Sequence, residues 1–273
     1  MELRDLRREF PSDLDRAYMQ YKKNQKVTDI MSRSVVTVTP EATMEDAAKI
    51  MGEKHIGSLV VTRKGKPIGI VTERDLLTNI IALGKAPKKI TVKEVMSSPL
   101  LTIDPNARVK EAAQEMIKKK GKLIVFDVDK LVGILTASDL VKTLPDVPET
   151  TLVVDDFMTK KIITADERTT IGTIAKMMGT KRIGSVVTTR KGEPRGIFTE
   201  RDLLTNFLAK GKPLNVAVGE VASSPVLTAP SGITIHQAAY LMDKKHIRRL
   251  PIAKDGKLIG IITARDLVEA YSK

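Results

Sequence analysis

The chain has 273 residues, and its hydrophobic content of 42% is enough for a packed core and excludes a wholly disordered protein. It contains no cysteine, which excludes disulfides, thiolate zinc sites and cysteine nucleophiles. The net charge of +13 indicates anionic partners such as nucleotides, nucleic acid or an acidic protein, although a lysine-rich solubilising surface would explain the same excess.

The first 25 residues precede the repeated part of the chain and lack the apolar stretch of a signal peptide. After Ser12, a candidate N-cap, four apolar side chains fall on one face of a predicted helix: Leu14, Ala17, Tyr18 and Tyr21. This helix either packs on the rest of the chain or binds a partner. No run of residues approaches the roughly 18 apolar positions that cross a bilayer, so we expect a cytoplasmic protein without membrane contact.

From residue 26 onward the chain repeats one unit four times. The octapeptide that begins at Thr72 recurs unchanged at Thr199, 127 positions later, and shorter versions begin at Thr136 and Thr263. A fixed period of this kind indicates repeated structural units, and the two identical octapeptides indicate two pairs. The predicted copies and the linker between the pairs have these bounds: 26–86, 90–145, linker 146–151, 152–213 and 216–273.

Each copy predicts the element order β-α-β-β-α, which is an α/β (α+β) fold class. In the first copy the predicted elements are a strand over 35–38, a helix opened by Thr43, strands over 58–62 and 68–71, and a helix over 73–83 capped by Gly84. Thr170 and Thr234 are the corresponding helix caps in later copies. A unit of about 55 residues is too small to bury both faces well alone, so we expect the copies to pair.

The second helix of every copy begins with a Thr-x-x-Asp pattern. The four pairs are Thr72 with Asp75, Thr136 with Asp139, Thr199 with Asp202, and Thr263 with Asp266. This pattern is a capping box and needs no further role than starting a helix. A carboxylate there that faces a cleft can also accept hydrogen bonds from both hydroxyls of a ribose, and the positive helix end favours a phosphate. Because all four copies carry Asp, where Glu would cap nearly as well, the pattern favours ligand binding.

The recurring Gly-x-x-Thr-x-x-Asp ending and the segment His246–Ile252 resemble cystathionine-β-synthase (CBS) domains. The resemblance covers residues 27 to 272. It implies four CBS units that form two Bateman modules in a pseudo-symmetric disc, similar to the gamma subunit of AMP-activated protein kinase. It further implies a regulatory protein, not an enzyme, that binds AMP, ADP or ATP, with S-adenosylmethionine as a further candidate.

In that family one domain supplies the ribose Asp, and its partner supplies base and phosphate contacts. The residues that the resemblance assigns to phosphate are Arg74, Arg201, Arg248, Arg249 and Arg265. Those assigned to the base pocket are Val36, Ile70, Leu101, Leu135, Ile163, Ile197, Leu227 and Ile261. The alternative for these arginines is an exposed ion pair or a solvated turn of little energetic value.

The pairing that the resemblance implies gives four clefts, which differ in how complete they are. The cleft on Asp202 faces the fourth copy, which supplies Leu227 and three arginines (Arg248, Arg249 and Arg265). The cleft on Asp266 faces the third copy, with Ile163, Arg201 and Ser185. The cleft on Asp139 faces the first copy, with Val36, Arg74 and Ser58. The cleft on Asp75 faces Lys120-Gly121-Lys122-Leu123 and Ser138, a departure from the family pattern that weakens the expectation of phosphate binding there.

No catalytic or metal-binding pattern accompanies these motifs. The three histidines (His55, His236 and His246) lack metal-ligand spacing, so no cofactor or metal is expected. The main alternative function is a nucleic-acid-binding or scaffolding protein that acts through its basic surface. Aromatic residues amount to only 3%, which argues against stacking on single strands. An unidentified protein partner and a homodimer complete the expected interactions.

Overall fold

The structure is a computed structural model that describes residues 24–144 and 151–273. The predicted helix with Leu14, Ala17, Tyr18 and Tyr21 lies outside the described residues, as does all but the last residue of the predicted linker over 146–151. Within the described residues, no helix is long and apolar enough to cross a membrane.

The first pair of copies contains twelve α-helices and β-strands. The elements of the first copy are α1 (Val27–Ile30), β1 (Thr37–Val38), α2 (Met44–Glu53), β2 (Ser58–Arg63), β3 (Lys66–Thr72) and α3 (Glu73–Asn79). Those of the second copy are α4 (Val92–Val95), β4 (Thr102–Ile103), α5 (Val109–Lys119), β5 (Leu123–Asp127), β6 (Lys130–Leu135) and α6 (Ala137–Val141).

The second pair repeats this order, with a 3₁₀ turn in place of the short opening helix. The third copy contains a 3₁₀ turn (Val154–Asp156), β7 (Thr164–Asp166), α7 (Ile171–Lys181), β8 (Ser185–Arg190), β9 (Glu193–Thr199) and α8 (Glu200–Asn206). The fourth contains a 3₁₀ turn (Val218–Glu220), β10 (Ala229–Pro230), α9 (Ile235–Lys244), β11 (Arg249–Lys254), β12 (Lys257–Thr263) and α10 (Ala264–Ser272).

Each copy forms one three-stranded sheet in sequence order. The first strand pairs parallel with the second, and the second and third form an antiparallel hairpin, as in β1-β2-β3. A helix joins the two parallel strands, because a parallel connection needs a crossover segment. The predicted α/β fold class with four β-α-β-β-α units is confirmed.

The helix starts follow the predicted caps, but one helix end does not follow the prediction. The hydroxyls of Thr43, Thr170 and Thr234 accept hydrogen bonds from the backbone three residues later and open α2, α7 and α9. The predicted helix over 73–83 ends at Asn79, because Ile80 leaves helical geometry with φ −125° and ψ −69°. A 3₁₀ turn over Ile81–Leu83 follows, and Gly84 caps this turn in the left-handed region.

Within the first pair, the two copies exchange their opening segments. The segment over 26–32 lies against the second copy, where Val27 N–H donates to Ala107 O and Ser32 exchanges two backbone hydrogen bonds with Ile134. Reciprocally, the segment over 91–97 lies against the first copy, where Ser97 exchanges two hydrogen bonds with Ile70. Neither copy therefore completes its backbone pairing alone.

The second pair makes the same exchange. Thr159 pairs with Ile261 of the fourth copy, and Ser223 pairs with Ile197 of the third. The sequence patterns did not predict these segments, since a four-residue helix has too little periodicity to be recognised.

The two pairs pack side by side, first copy on third and second on fourth. The second and fourth copies share one continuous hydrophobic core. Leu204 of the third copy belongs to the core of the first, and Leu77 of the first copy belongs to the core of the third. Helix glycines permit this approach, because a Cβ at Gly179 would lie 2.9 Å from Leu77 O and would overlap the Cβ of Ala82. Gly52 faces Ala209 in the corresponding way.

Candidate functional site

All four Thr-x-x-Asp pairs form capping boxes. In each copy the threonine N–H and hydroxyl both donate to Oδ2 of the aspartate, at distances between 2.7 and 2.9 Å. The other oxygen, Oδ1, makes no hydrogen bond within residues 24–144 and 151–273. The helix-starting role is therefore real, and it leaves one carboxylate oxygen per copy for another donor.

Two of these aspartates are held at an electrostatic cost. Burial raises the pKa of Asp75, and this effect outweighs the hydrogen bonds from Thr72 and the nearby charges of Lys122 and Arg74. Burial likewise raises the pKa of Asp266 against the bonds from Thr263. A carboxyl group in a cleft whose pKa is raised by burial is a candidate functional group.

The first copy contributes a buried glutamate beside Asp75. The side chain of Glu73 is 9% exposed and binds arginines from two other copies. Arg201 of the third copy lies with Nε 3.1 Å from Oε2, and Arg248 of the fourth lies with Nη2 3.2 Å from Oε1. Burial alone would raise the pKa of Glu73, but Arg248, Arg201 and Lys122 overcome that effect and lower it.

The third copy contributes the matching glutamate. The side chain of Glu200 is 5% exposed, with Arg249 Nη2 2.9 Å from Oε2 and Arg74 Nη2 2.9 Å from Oε1. The two identical octapeptides thus exchange arginines, each glutamate binding the arginine of the other. These arginines also donate to helix-end carbonyls, Arg74 to Arg182 O at 3.1 Å and Arg201 to His55 O at 2.8 Å.

Together these residues form what we call the central charge cluster: Glu73, Arg74, Lys122, Glu200, Arg201, Arg248 and Arg249. Five basic side chains surround two carboxylates, which leaves three positive charges in excess, or two if neighbouring Asp75 is included. Burial lowers the pKa of Arg249, although Glu200 offsets part of the effect. The excess is partly buried, because the Arg249 side chain is 14% exposed whereas that of Arg74 is 48% exposed. Buried charge is costly unless an ion of opposite sign compensates it, so the cluster is suited to an anion.

The structure brings together four of the five predicted phosphate residues. Arg74, Arg201, Arg248 and Arg249 all belong to the central charge cluster, and each pairs with a buried carboxylate instead of an exposed one. Arg248, predicted for the cleft on Asp202, pairs with the first copy. Arg265 is exposed and makes no ion pair in the described part of the chain.

The apolar residues predicted for the base pocket differ in burial, and one of them lies one position away from its counterparts in the other copies. Leu135 is fully buried in the core, because its position on β6 faces inward opposite Leu123. The counterpart of Ile70 and Ile197 is Ile134, which is half-buried and pairs with an exchanged segment as they do. Leu227 is exposed. The remaining four are half-buried: Val36, Leu101, Ile163 and Ile261.

Sequence reasoning assigned no binding role to three members of the central charge cluster, which are Glu73, Lys122 and Glu200. Lys122 Nζ donates to Gly57 O at 2.9 Å and lies beside Glu73 and Asp75. The strand register makes Lys122 the equivalent of Arg249, because Leu123 pairs with Leu135 as Leu250 pairs with Ile262. Alignment of the strands of the four copies identifies Lys122, whereas a search for arginine does not.

Two cavities in the described part of the chain lie away from this cluster. An open groove of about 650 Å³ runs between two hairpin tips and is lined by Gly65, Pro67 and residues 127–131. A smaller cavity of about 250 Å³ includes Glu167, Arg190 and Arg195. Neither contains a Thr-x-x-Asp residue.

Comparison with known proteins identifies the repeated unit. The CBS domain model matches residues 27–82, 92–146, 154–209 and 218–273, which is most of the chain. Protein MJ1225 of Methanocaldococcus jannaschii is 25% identical over 274 residues, covering 88% of this chain and 96% of that protein. Protein MK0525 of Methanopyrus kandleri is 36% identical over 126 residues, covering 45% of this chain and 64% of that protein.

Two solved structures share the whole fold. The crystal structure of MJ1225, proposed to be an archaeal homologue of g-AMPK, has a TM-score of 0.76 at 23% identity, covering 90% of this chain and 100% of that chain. An uncharacterised conserved protein from Pyrococcus horikoshii has a TM-score of 0.64 at 24% identity, with the same coverage. At these identities the likeness concerns the fold alone.

Proposed function

Because the chain belongs to the CBS-domain family, we propose that it is a non-catalytic regulatory protein that binds AMP, ADP or ATP in the clefts between its copies. The observation that carries this proposal is the central charge cluster, where arginines from three copies meet in excess over their glutamates. A phosphate accepts paired hydrogen bonds from guanidinium groups, and it would supply the missing negative charge.

The Thr-x-x-Asp pairs would hold the other end of the ligand. Oδ1 of each aspartate is available to accept hydrogen bonds from ribose hydroxyls, while Oδ2 keeps its hydrogen bonds from the capping threonine. The half-buried Ile70, Ile134, Ile197 and Ile261 provide apolar surface for a purine. An adenine nucleotide is the ligand that membership of the CBS-domain family implies.

Regulation would follow from competition for the arginines. A phosphate that binds Arg201 or Arg249 competes with Glu73 or Glu200, and these glutamates join the first, third and fourth copies. Occupancy would therefore weaken some contacts between the two pairs and strengthen others. A ligand shifts such an equilibrium only by its difference in affinity for the two arrangements, and a partner protein would bind one of them.

Titration with adenine nucleotides tests the proposal directly. We expect AMP, ADP or ATP to bind with a stoichiometry between one and three per chain, because the four ribose aspartates differ in their basic partners. A micromolar dissociation constant corresponds to about −8 kcal/mol, within reach of a few charge-assisted hydrogen bonds of about 1.5–3 kcal/mol each. Calorimetry measures both quantities, and the absence of heat with every nucleotide and with S-adenosylmethionine at millimolar concentration would refute nucleotide sensing.

Salt dependence separates nucleotide binding from the alternative of nucleic-acid binding. We expect any binding to duplex DNA or RNA to be non-specific and to weaken steeply with salt. For each tenfold rise in salt concentration, the logarithm of the association constant should fall by about 0.9 per neutralised phosphate on duplex DNA. Nucleotide affinity should fall less, because ribose and base contacts are not screened. The measurement is a paired titration at low and physiological salt. Nanomolar, sequence-dependent duplex binding at physiological salt alongside weak AMP binding would favour the alternative.

A further inference from the structure

Lys122 occupies a place at the centre that only one other copy fills with a basic residue. In three copies this place lies opposite the threonine of the Thr-x-x-Asp motif on the neighbouring strand, and in the second copy it is the equivalent position just before the strand. It is occupied by Ser58 in the first copy, Lys122 in the second, Ser185 in the third and Arg249 in the fourth. Each pair of copies thus presents one cation here, a lysine in the first pair and an arginine in the second.

The charged side chains around Lys122 are two carboxylates and two arginines, so they offer it no net negative charge. Glu73 and Asp75 on α3 face it, but so do Arg201 on α8 and Arg248 before β11. Glu73 is shared with both arginines, and its negative charge does not offset the burial of the ammonium group. The only hydrogen bond that Lys122 Nζ makes in the described residues goes to an uncharged oxygen, Gly57 O at 2.9 Å.

This environment disfavours the charged form of the lysine. Burial lowers the pKa of Lys122 to about 8, Glu73 and Asp75 oppose the shift, and Arg248 and Arg201 add to it. An arginine in the equivalent place stays protonated at any pH at which the protein is folded. The two pairs of copies therefore differ chemically at matched positions.

We propose that the cleft on Asp75 binds a phosphate monoester dianion together with a proton, and that Lys122 carries this proton. The inference rests on the proposed nucleotide function and adds a pH response confined to the first pair of copies. A dianion beside Lys122 would supply the negative charge that Glu73 cannot, and would return the pKa toward that of free lysine. The cleft on Asp202, served by Arg249, would bind without proton uptake.

The sign of the effect follows from proton linkage. Because the ligand phosphate has its second pKa near 6, it stays dianionic at pH 8 and above. A lysine with a pKa of about 8 in the free protein and above about 10 in the complex takes up about half a proton at pH 8 and about 0.9 at pH 9. Affinity at this cleft should therefore fall as pH rises from about 8 to 10.

Calorimetry in two buffers of different ionisation enthalpy measures the proton directly. We titrate the full chain with AMP at pH 8 and 9 and compare the wild type with Lys122→Arg. The arginine variant should still bind AMP but lose the proton uptake. Lys118→Arg, an exposed lysine on α5, is the matched control and should behave like the wild type. Unchanged proton uptake in Lys122→Arg would overturn the proposal.

A second measurement keeps this test independent of nucleotide binding. The ¹⁵N resonance of the Lys122 ammonium group, titrated without ligand and with millimolar inorganic phosphate, should show a midpoint near 8 that moves above about 10. If no nucleotide binds but this midpoint moves, the nucleotide function fails while the proton-coupled anion site stands. A midpoint that phosphate leaves unchanged refutes the site itself.

Discussion

Replacing Gly179 with alanine should destabilise the protein by about 1–3 kcal/mol, although alanine is the better helix former by about 1 kcal/mol. The added Cβ would lie 2.9 Å from Leu77 O and would overlap Ala82 Cβ, so helix α7 would have to move away from the first copy. For a chain of this size the melting temperature should fall by roughly 2–4 °C per kcal/mol, as measured by thermal unfolding.

The same helix provides the control for this substitution. A Cβ at Gly172 would meet Leu214 O at 3.4 Å, an ordinary contact, so Gly172→Ala should leave the melting temperature unchanged or raise it. Gly52→Ala should act in the same direction as Gly179→Ala, because its Cβ would overlap Ala209 of the third copy. Equal melting temperatures for Gly179→Ala and Gly172→Ala would show that the packing of first copy on third is looser than described.

Replacing Asp202 with alanine should cost about 2–3 kcal/mol of nucleotide binding free energy at its cleft, a loss of about thirty- to more than a hundredfold in affinity. This carboxylate is the ribose candidate nearest to Glu200 and hence to Arg249, whose charge is permanent. Site-resolved titration of single variants measures the loss.

Asp75→Ala is the matched comparison, because both aspartates lie in the same octapeptide and make the same capping box. Both variants keep the N-cap threonine and lose the same two hydrogen bonds to the aspartate, so a difference in nucleotide affinity reports the partner copy. Asp202→Asn keeps an acceptor for Thr199 and should bind weakly while remaining as stable as the wild type. A larger loss for Asp75→Ala than for Asp202→Ala would contradict the ranking.

The repeated motifs made much of the fold accessible from the sequence. Exact recurrence of the octapeptide at Thr72 and Thr199 requires no knowledge of packing, and the capping threonines follow from local hydrogen bonding. The four arginines of the central charge cluster were named through the resemblance to CBS domains, and each lies in or beside a motif.

What the sequence could not supply depends on long-range contacts. No local pattern reveals that Arg201 binds Glu73, 128 residues away, or that Arg248 binds it from 175 residues away. The assignment of Leu135 to the base pocket has a related cause: Leu135 and its neighbour Ile134 are both apolar, and only the pairing of β5 with β6 shows which one faces the core. No local pattern distinguishes Lys122 either, because the role of a lysine depends on the side chains that surround it.

The exchange of opening segments has a consequence for how such a chain could have grown. A single copy would expose the backbone groups of Ile70 or Ile134, which a segment of the neighbouring copy otherwise satisfies. A single copy therefore cannot complete its own backbone hydrogen bonding. A pair is self-sufficient in this respect. Duplication of an ancestral pair explains why the octapeptide is identical at a distance of 127 residues but degenerate at half that distance. We therefore expect lineages of this architecture to gain and lose copies in twos.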